Sequence, residues 1–279
     1  FQHLFWFYSH PAVYIMILPA MGAISEGVAA FSRKNMFGYR AVAYSSLGIA
    51  FVGFFAWGHH MFVTGQSAFQ GAAFAIISML VGVFTAIKVF NWVFTLYRGS
   101  VQVKAPLIFI CGFLFYVVFG GMTGIAIATM SLDIHWHDTY FVVAHFHYIM
   151  VGATVMGFLV ALHYWWPKMF GKMYHEGWAM AAASFIFLGF AASFIPQFFL
   201  GNAGQPRRYY MYSPEFQGLN VASTAGASVL ALGFFIVLFN MIYSLAHGKP
   251  AGKNPWDAKG LEWLTTSPPP KHNFDDTPV

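Results

Sequence analysis

Long apolar stretches separated by short polar connections dominate the chain. A helix needs about 20 predominantly apolar residues to cross the hydrocarbon core of a bilayer, and seven stretches approach or exceed that length. They lie at about 4–30, 42–66, 70–97, 105–130, 138–166, 177–200 and 221–247. The connections contain the glycine, proline and charged residues that are typical of surface turns. The pattern predicts an all-α polytopic membrane protein with seven transmembrane helices.

The end of the chain has a different character. From Gly248 onward it is polar and rich in proline. We therefore predict two regions, a seven-helix transmembrane region at residues 1–248 and a polar tail at residues 249–279. We expect the tail to lie along the cytoplasmic surface, docked on a partner.

Composition supports a membrane protein and restricts its chemistry. Charged residues make up 8% of the chain, against roughly 25% in a soluble domain, so a soluble fold could not cover this much apolar surface. The single cysteine, Cys111, excludes a disulfide framework and any cysteine-ligated zinc or iron–sulfur cluster within the chain. Redox chemistry here would have to use histidine.

His145 and His147 lie two positions apart inside the fifth apolar stretch. On an α-helix each residue advances about 100°, so these side chains point roughly 200° from one another. They cannot share one metal, but they can bind two metal centres on opposite flanks of the helix, with Phe146 between them. This arrangement suits two haems that exchange electrons.

Three further histidines form a second candidate metal site. His10 and Tyr14 are four residues apart on the first helix and therefore share one face, and the second helix carries His59 and His60. Three imidazoles can hold one copper and leave a coordination position open. One such histidine alone is more often a buried, hydrogen-bonded residue, but burying two adjacent imidazoles without partners is costly. We favour metal binding.

Lys88 is the only lysine inside a predicted span, and an intramembrane charge is a functional candidate. Thr85 lies one turn before it, and Ser25 lies three turns after Tyr14 near its face. Together they predict a polar path toward Tyr14. The alternative is that Lys88 extends to the surface and that Ser25 and Thr85 bond their own backbone carbonyls.

Lysine and arginine are distributed unevenly between the loops, which predicts orientation. By the positive-inside rule the richer side is cytoplasmic, or the matrix in a mitochondrion. Its residues are Arg33, Lys34, Arg40, Arg98, Lys104, Lys168, Lys172, Lys249, Lys253, Lys259 and Lys271. The net charge of +5 therefore reflects topology, and we expect no nucleic-acid partner.

The opposite side carries the adjacent pair Arg207 and Arg208. The positive-inside rule predicts few basic residues on this side. Two adjacent arginines there therefore indicate an anionic ligand. The alternative is a salt bridge to a neighbouring loop. Because the histidines predict haems nearby, we favour haem propionates.

Together these segments resemble subunit I, the catalytic subunit of the haem–copper oxygen reductases, the cytochrome oxidase family. The matching residues are Phe7 to Tyr14, Trp57 to Phe62, Ile87 to Phe90, Ser131 to Tyr148 and Pro206 to Tyr209. The resemblance covers essentially the whole chain but only the last seven of the family's twelve helices. We therefore expect a fragment or one piece of a split subunit, which needs the preceding helices and their low-spin haem ligand.

The resemblance implies a role for each candidate residue. His10, His59 and His60 would bind the active-site copper, with Tyr14 covalently linked to His10 at the oxygen site. His145 would be the axial ligand of the high-spin haem and His147 an axial ligand of the low-spin haem, both haems being of the A type. The remaining implied roles are proton transfer by Lys88, Thr85 and Ser25, magnesium binding by His137 and Asp138, and propionate binding by Arg207 and Arg208.

The implied activity is reduction of dioxygen to water, coupled to proton translocation, with electrons from cytochrome c. The implied partners are the N-terminal half of subunit I, subunits II and III, cytochrome c or an associated cytochrome domain, and lipid. We expect the bacterial plasma membrane rather than the mitochondrial inner membrane. The alternatives are a quinol oxidase of the same superfamily, a nitric oxide reductase, which would lack Tyr14, and a transporter module without catalytic function.

One position departs from the commonest pattern of the family. Many A-type relatives have a proton-donating glutamate where this chain has Ala12, and no carboxylate replaces it here. The preceding Tyr8 and Ser9 resemble an A-type branch with a Tyr-Ser pair. We hypothesise that these two hydroxyls relay protons through water in place of the glutamate.

Overall fold

The computed structural model describes residues 1–274 and confirms the predicted fold class. Seven helical stretches are long and apolar enough to span a membrane, and residues 1–274 contain no named β-strand. The helices are α1 (Gln2–Ser32), α2 (Tyr39–Phe54), α3 (Ala68–Leu96), α4 (Ala105–Ala128), α5 (Met130–Trp136), α6 (Tyr140–Phe146), α7 (Met156–Phe170), α8 (Glu176–Asn202) and α9 (Gln217–His247). The chain is a multi-pass membrane protein.

The second span differs from its predicted form. The α-helix ends at Phe54, and His59 and His60 lie on a separate 3₁₀ turn, Trp57–Met61. The backbone tightens because the amides of Phe55 and Ala56 donate to carbonyls three residues earlier rather than four. The prediction that the histidine pair continues the second helix was therefore wrong.

The fifth span also departs from a regular α-helix. Helix α6 ends at Phe146, the segment His147–Val155 is a π-helix, and α7 follows it directly. The predicted angle of roughly 200° between His145 and His147 assumed α-helical geometry, which stops between them. Short π-helical segments in α-helices are frequent at functional sites.

The tail folds back onto the ends of the helices that carry the basic loops. The indole nitrogens of Trp256 and Trp263 donate to the backbone oxygen and hydroxyl of Tyr164, at 2.8 and 2.9 Å. The Lys168 ammonium donates to the carbonyl oxygens of Lys253, Thr265 and Thr266. The described part of the tail is thus docked on its own helices, and docking on a partner stays a prediction. Residues 275–279 of that prediction lie outside the described residues.

Charged contacts agree with the predicted sidedness. Arg33, after α1, pairs with Asp257 of the tail at 2.5 Å, and Lys34 donates to the carbonyl oxygens of Phe94 and Tyr97 at the end of α3. The Arg207 amide donates to the Asp138 carbonyl oxygen at the other end of the bundle. The basic loops and the arginine pair therefore lie at opposite ends of the helices.

Candidate copper and haem centre

Helix α1 and the 3₁₀ turn after α2 bring three imidazoles together. Candidate ligand atoms of His10, His59 and His60 all lie within 4.8 Å of one another. His10 Nδ1 lies 3.2 Å from His60 Nε2. His10 Nε2 is buried and has no hydrogen-bond partner within residues 1–274. A cluster of nitrogen lone pairs in an apolar site is the chemistry that a copper ion requires.

Ser78 of α3 fixes the orientation of His59. Its hydroxyl lies 2.7 Å from His59 Nδ1 and donates to the Phe74 carbonyl oxygen at 2.6 Å. Because that proton is already committed, Ser78 accepts from Nδ1–H, and the neutral imidazole keeps its lone pair on Nε2. Sequence reasoning missed Ser78, although a hydroxyl in the middle of an apolar span was a signal.

A tryptophan covers the third imidazole. The Trp6 ring stacks on His60 with ring centroids 3.5 Å apart and planes 8° apart. Trp6 lies one turn before His10 on α1, so one helix supplies both a candidate ligand and the stacking partner of another. This contact was also missed, since it joins two elements distant in sequence.

Tyr14 lies beside the histidine cluster. Its ring centroid is 4.7 Å from that of His10, with planes at 77°. Gly53 of α2 makes room for the phenol, because a Cβ at residue 53 would lie 2.5 to 2.9 Å from three ring carbons of Tyr14. Backbone packing therefore holds the phenol at the edge of the site.

Helix α4 fixes the orientation of His145, the candidate ligand of a second metal. Its Nδ1 lies 3.1 Å from the Gly120 carbonyl oxygen and 3.2 Å from the Thr123 hydroxyl. Since a carbonyl only accepts, Nδ1 carries the hydrogen and Nε2 is free to bind a metal. A Cβ at Gly124 would lie 2.8 Å from His145 Cε1, so the ring needs a glycine here.

A backbone carbonyl also fixes the orientation of His147. Its Nδ1 lies 2.8 Å from the Val143 carbonyl oxygen, which again leaves Nε2 as the free nitrogen. Its ring stacks on Phe194 of α8 at 4.1 Å, whereas His145 contacts α4. The two histidines thus face different helices, as two separate haem ligands would.

The loop that carries Arg207 and Arg208 meets the segment between α5 and α6. Arg208 Nη1 pairs with Asp138 Oδ1 at 3.1 Å, the salt bridge named above as the alternative to an anionic ligand. Arg207 makes no ion pair within residues 1–274, and its guanidinium lies 5.4 Å from the Phe146 ring centroid. Burial, followed by the charge of Arg208, lowers the pKa of Arg207.

His137 and Asp138 lie at the same end of the bundle. A hydrogen bond of 3.2 Å to the buried Asp133 carboxylate raises the pKa of His137, against the opposing effect of its own burial. His137 Nε2 is 3.8 Å from Asp138 Oδ2. Asp133 completes an acidic group that the sequence-based magnesium prediction did not include.

Lys88 is buried, with 2% of its surface exposed, and does not extend to the surface. Its ammonium donates to the Ser46 hydroxyl at 2.5 Å and to the Val42 carbonyl oxygen at 3.2 Å, both on α2. No carboxylate pairs with it within residues 1–274. Ser46 and Val42 were not predicted, because an interhelical contact leaves no trace in local spacing.

Thr85 and Ser25 have their hydroxyl protons committed to their own helices. Thr85 donates to the Val81 carbonyl oxygen and Ser25 to the Met21 carbonyl oxygen, the arrangement named as the alternative. Ser25 also accepts from the Trp92 indole at 3.0 Å, and the Lys88 ammonium lies 5.8 Å from the Trp92 ring. Trp92 therefore connects Lys88 with Ser25.

Tyr8 and Ser9 precede His10 on α1 and are less buried than it is. The Tyr8 residue is 73% exposed in this chain, and Ser9 is partly exposed. Neither hydroxyl has a hydrogen-bond partner within the described residues. Ala12 lies one turn beyond Tyr8 on the same helix and is apolar.

Removal of the Ser78 hydroxyl tests how His59 is oriented. Ser78→Ala is expected to weaken copper binding by about 10- to 100-fold, the usual cost of losing a partner of a ligating histidine. Copper content after dialysis against graded chelator measures the effect. Ser78→Thr keeps the hydroxyl and should retain copper, and Ser184→Ala, an exposed serine bonded to its own helix, is the control. Equal copper retention in Ser78→Ala and the control would contradict the orienting role.

Comparison with known proteins gives the family. The family described as cytochrome c and quinol oxidase polypeptide I matches residues 1–229. Cytochrome c oxidase subunit 1 of Synechocystis sp. is 47% identical over 100% of this chain and 51% of its own length. The corresponding subunit of Bacillus subtilis is 43% identical over 99% of this chain and 45% of its own length. The chain thus spans about half the length of the curated relatives it matches.

A solved structure shares the fold. A chain of a heme-copper terminal oxidase dimer superposes with a TM-score of 0.82 at 22% identity, covering 89% of this chain and 49% of the other. At that identity the likeness shows the fold alone. The family match over most of the chain and the relatives at 43–47% identity carry the conclusion: this chain belongs to the haem–copper oxidase subunit I family.

Proposed function

We propose that this chain is the C-terminal part of the catalytic subunit of a terminal respiratory oxidase that reduces dioxygen to water. The observation that carries the proposal is the cluster of His10, His59 and His60, whose ligand atoms lie within 4.8 Å of one another beside the Tyr14 phenol. A structural module or transporter has no use for this arrangement.

The donor set fits the metals that the family uses. His10, His59 and His60 would hold copper. His145 would hold a high-spin haem and His147 a low-spin haem, since each of these two histidines keeps Nε2 free. That both haems are of the A type follows the family resemblance alone. Arg207, which lacks an ion pair within residues 1–274, and Arg208 would hold the propionates. When bound, the metals supply oxygen binding and electron transfer, and the protein supplies position and protons.

Tyr14 would supply a proton and an electron for cleavage of the O–O bond. Its phenol is held beside His10 by the close approach of Gly53. A phenol that has given up a proton and an electron must recover both before the next turnover, and the electron would come from the respiratory electron donor. Lys88, with its ammonium bonded to Ser46 of α2, would deliver that proton, with Thr85 and Ser25 lining the path.

Finer features of the proposal follow the family resemblance. The enzyme would be an A-type oxidase with a Tyr-Ser pair, and it would translocate protons. His137 and Asp138 would bind a magnesium ion, and Asp133 adds a carboxylate nearby. Electrons would come from cytochrome c or an associated cytochrome domain. The N-terminal half of subunit I, subunits II and III and bilayer lipid would complete the complex in a bacterial plasma membrane.

The Tyr-Ser proposal has a direct test. Tyr8→Phe combined with Ser9→Ala removes both hydroxyls with little change of shape, and we expect turnover to fall by about 10-fold or more, since a positioned proton donor contributes roughly 10²–10⁴-fold. Oxygen uptake and the proton-to-electron ratio in proteoliposomes measure the effect. Tyr44→Phe, an exposed tyrosine on α2, is the control. Full turnover with full pumping in the double variant would disprove the relay.

The proposed activity is tested on the membrane complex that contains this chain. A reduced-minus-oxidised visible spectrum should show two haems, metal analysis should show copper, and the complex should consume oxygen. Absence of haem absorbance would disprove the proposal and favour the transporter alternative. Because the matched family includes quinol oxidases, oxygen uptake with reduced cytochrome c or with quinol as the sole donor distinguishes the two donors.

A further inference from the structure

A buried polar pair lies apart from the metal centre, where α7 meets the loop leading into α8. His163 of α7 is fully buried. Its ring centroid lies 4.8 Å from that of Phe109 on α4 and 4.9 Å from that of Tyr174 in the loop. Neither His163 Nε2 nor the Tyr174 hydroxyl has a hydrogen-bond partner within residues 1–274. The proposed oxidase mechanism uses neither side chain.

The protonation of His163 follows from its one hydrogen bond. Nδ1 lies 2.8 Å from the Leu159 carbonyl oxygen one turn earlier on α7. A carbonyl oxygen can only accept, so Nδ1 carries the hydrogen, and the neutral ring has a lone pair on Nε2. Nε2 therefore needs a donor. A contact of this lone pair with the negative face of an aromatic ring would be unfavourable.

Tyr174 has the opposite requirement. Its residue is 4% exposed, and burial, followed by the nearby charge of Glu176, raises the pKa of the phenol. The hydroxyl therefore keeps its proton and is a donor that needs an acceptor. His163 Nε2 is thus a buried acceptor without a donor, and the Tyr174 hydroxyl is a buried donor without an acceptor. The two rings are in direct edge-to-face contact.

We propose that one resident water molecule joins the two side chains, accepting from the Tyr174 hydroxyl and donating to His163 Nε2. The two atoms do not bond each other directly. Internal waters commonly satisfy such groups, with two to four hydrogen bonds each. The water ties the loop before α8 to α7, the continuation of the helix that carries His145 and His147.

The first test is the structure of the intact membrane complex at a resolution that shows ordered water. The expected result is one density peak within hydrogen-bond distance of both His163 Nε2 and the Tyr174 hydroxyl, which disappears in Tyr174→Phe. A direct bond between the side chains, or an empty space between them, would overturn the proposal. The measurement on the unmodified complex needs no variant to fold.

The second test is a double-mutant cycle on the thermal stability of the complex. His163→Leu and Tyr174→Phe should each lower Tm, because each leaves a buried partner unsatisfied, and the double variant should lose less than the sum of the two. Additive losses would overturn the proposal. His163→Leu with Tyr243→Phe, a tyrosine exposed on α9, should be additive. Haem absorbance reports separately on the proposed metal centre, so the two proposals can fail independently.

Discussion

Replacing His60 with alanine is expected to abolish oxygen reduction and remove copper while leaving both haems in place. His60 Nε2 lies 3.2 Å from His10 Nδ1 within the three-histidine cluster. Loss of a partner of a ligand costs about 10- to 100-fold, and loss of a ligand should exceed that, so the remaining rate should be about 1% or less. Elemental analysis measures copper, and the visible spectrum measures the haems.

A matched control variant shows whether the loss of copper is specific to His60. His272→Ala removes an exposed histidine of the tail, at the opposite end of the helices, and should retain copper and turnover. The substitution should affect the haems less than the copper, because His145 and His147 are held by Gly120 and Val143, not by His60. Copper retained at the unmodified level in His60→Ala would contradict the assignment of the site.

The seven spans could be predicted because hydrocarbon imposes a length and a composition on any crossing helix. That constraint acts on each segment separately, so hydropathy alone located α1, α3, α4, α8 and α9 to within a few residues. It does not report backbone hydrogen bonding. The 3₁₀ turn with His59 and His60 and the π-helix that begins at His147 are equally apolar, and the sequence analysis placed both on regular helices.

The tail illustrates a second limit. Its polar, proline-rich sequence predicted a surface segment, but Trp256 and Trp263 are 6% and 1% exposed. Their burial depends on Tyr164 and on the carbonyl oxygens around Lys168, which become neighbours only after the helices have packed. Ser78 and Ser46 escaped notice for the same reason. Residue types and spacing located candidate ligands, while their supporting contacts join separate helices.

Lys88→Met is expected to slow turnover by about 100-fold, at the lower end of the effect of a positioned proton donor. Methionine has a similar length and no proton to give. The loss should appear as slow reduction of the oxygen-binding centre under anaerobic conditions, since Tyr14 could not recover its proton. Stopped-flow absorbance of the haems measures that rate. Thermal stability should not fall greatly, because removing a buried amine without a carboxylate partner also removes its desolvation cost.

Lys168→Met is the matched control, because Lys168 is also a buried lysine, with 5% of its surface exposed. Its ammonium donates to the carbonyl oxygens of Lys253, Thr265 and Thr266 in the tail, so the same substitution should lower Tm without slowing reduction in the complexes that remain folded. The two lysines thereby separate proton supply from packing. If Lys88→Met left the reduction rate unchanged, or lowered Tm and rate together as a folding defect would, the bonds of Lys88 to Ser46 and Val42 would be structural and Tyr14 would need another proton source.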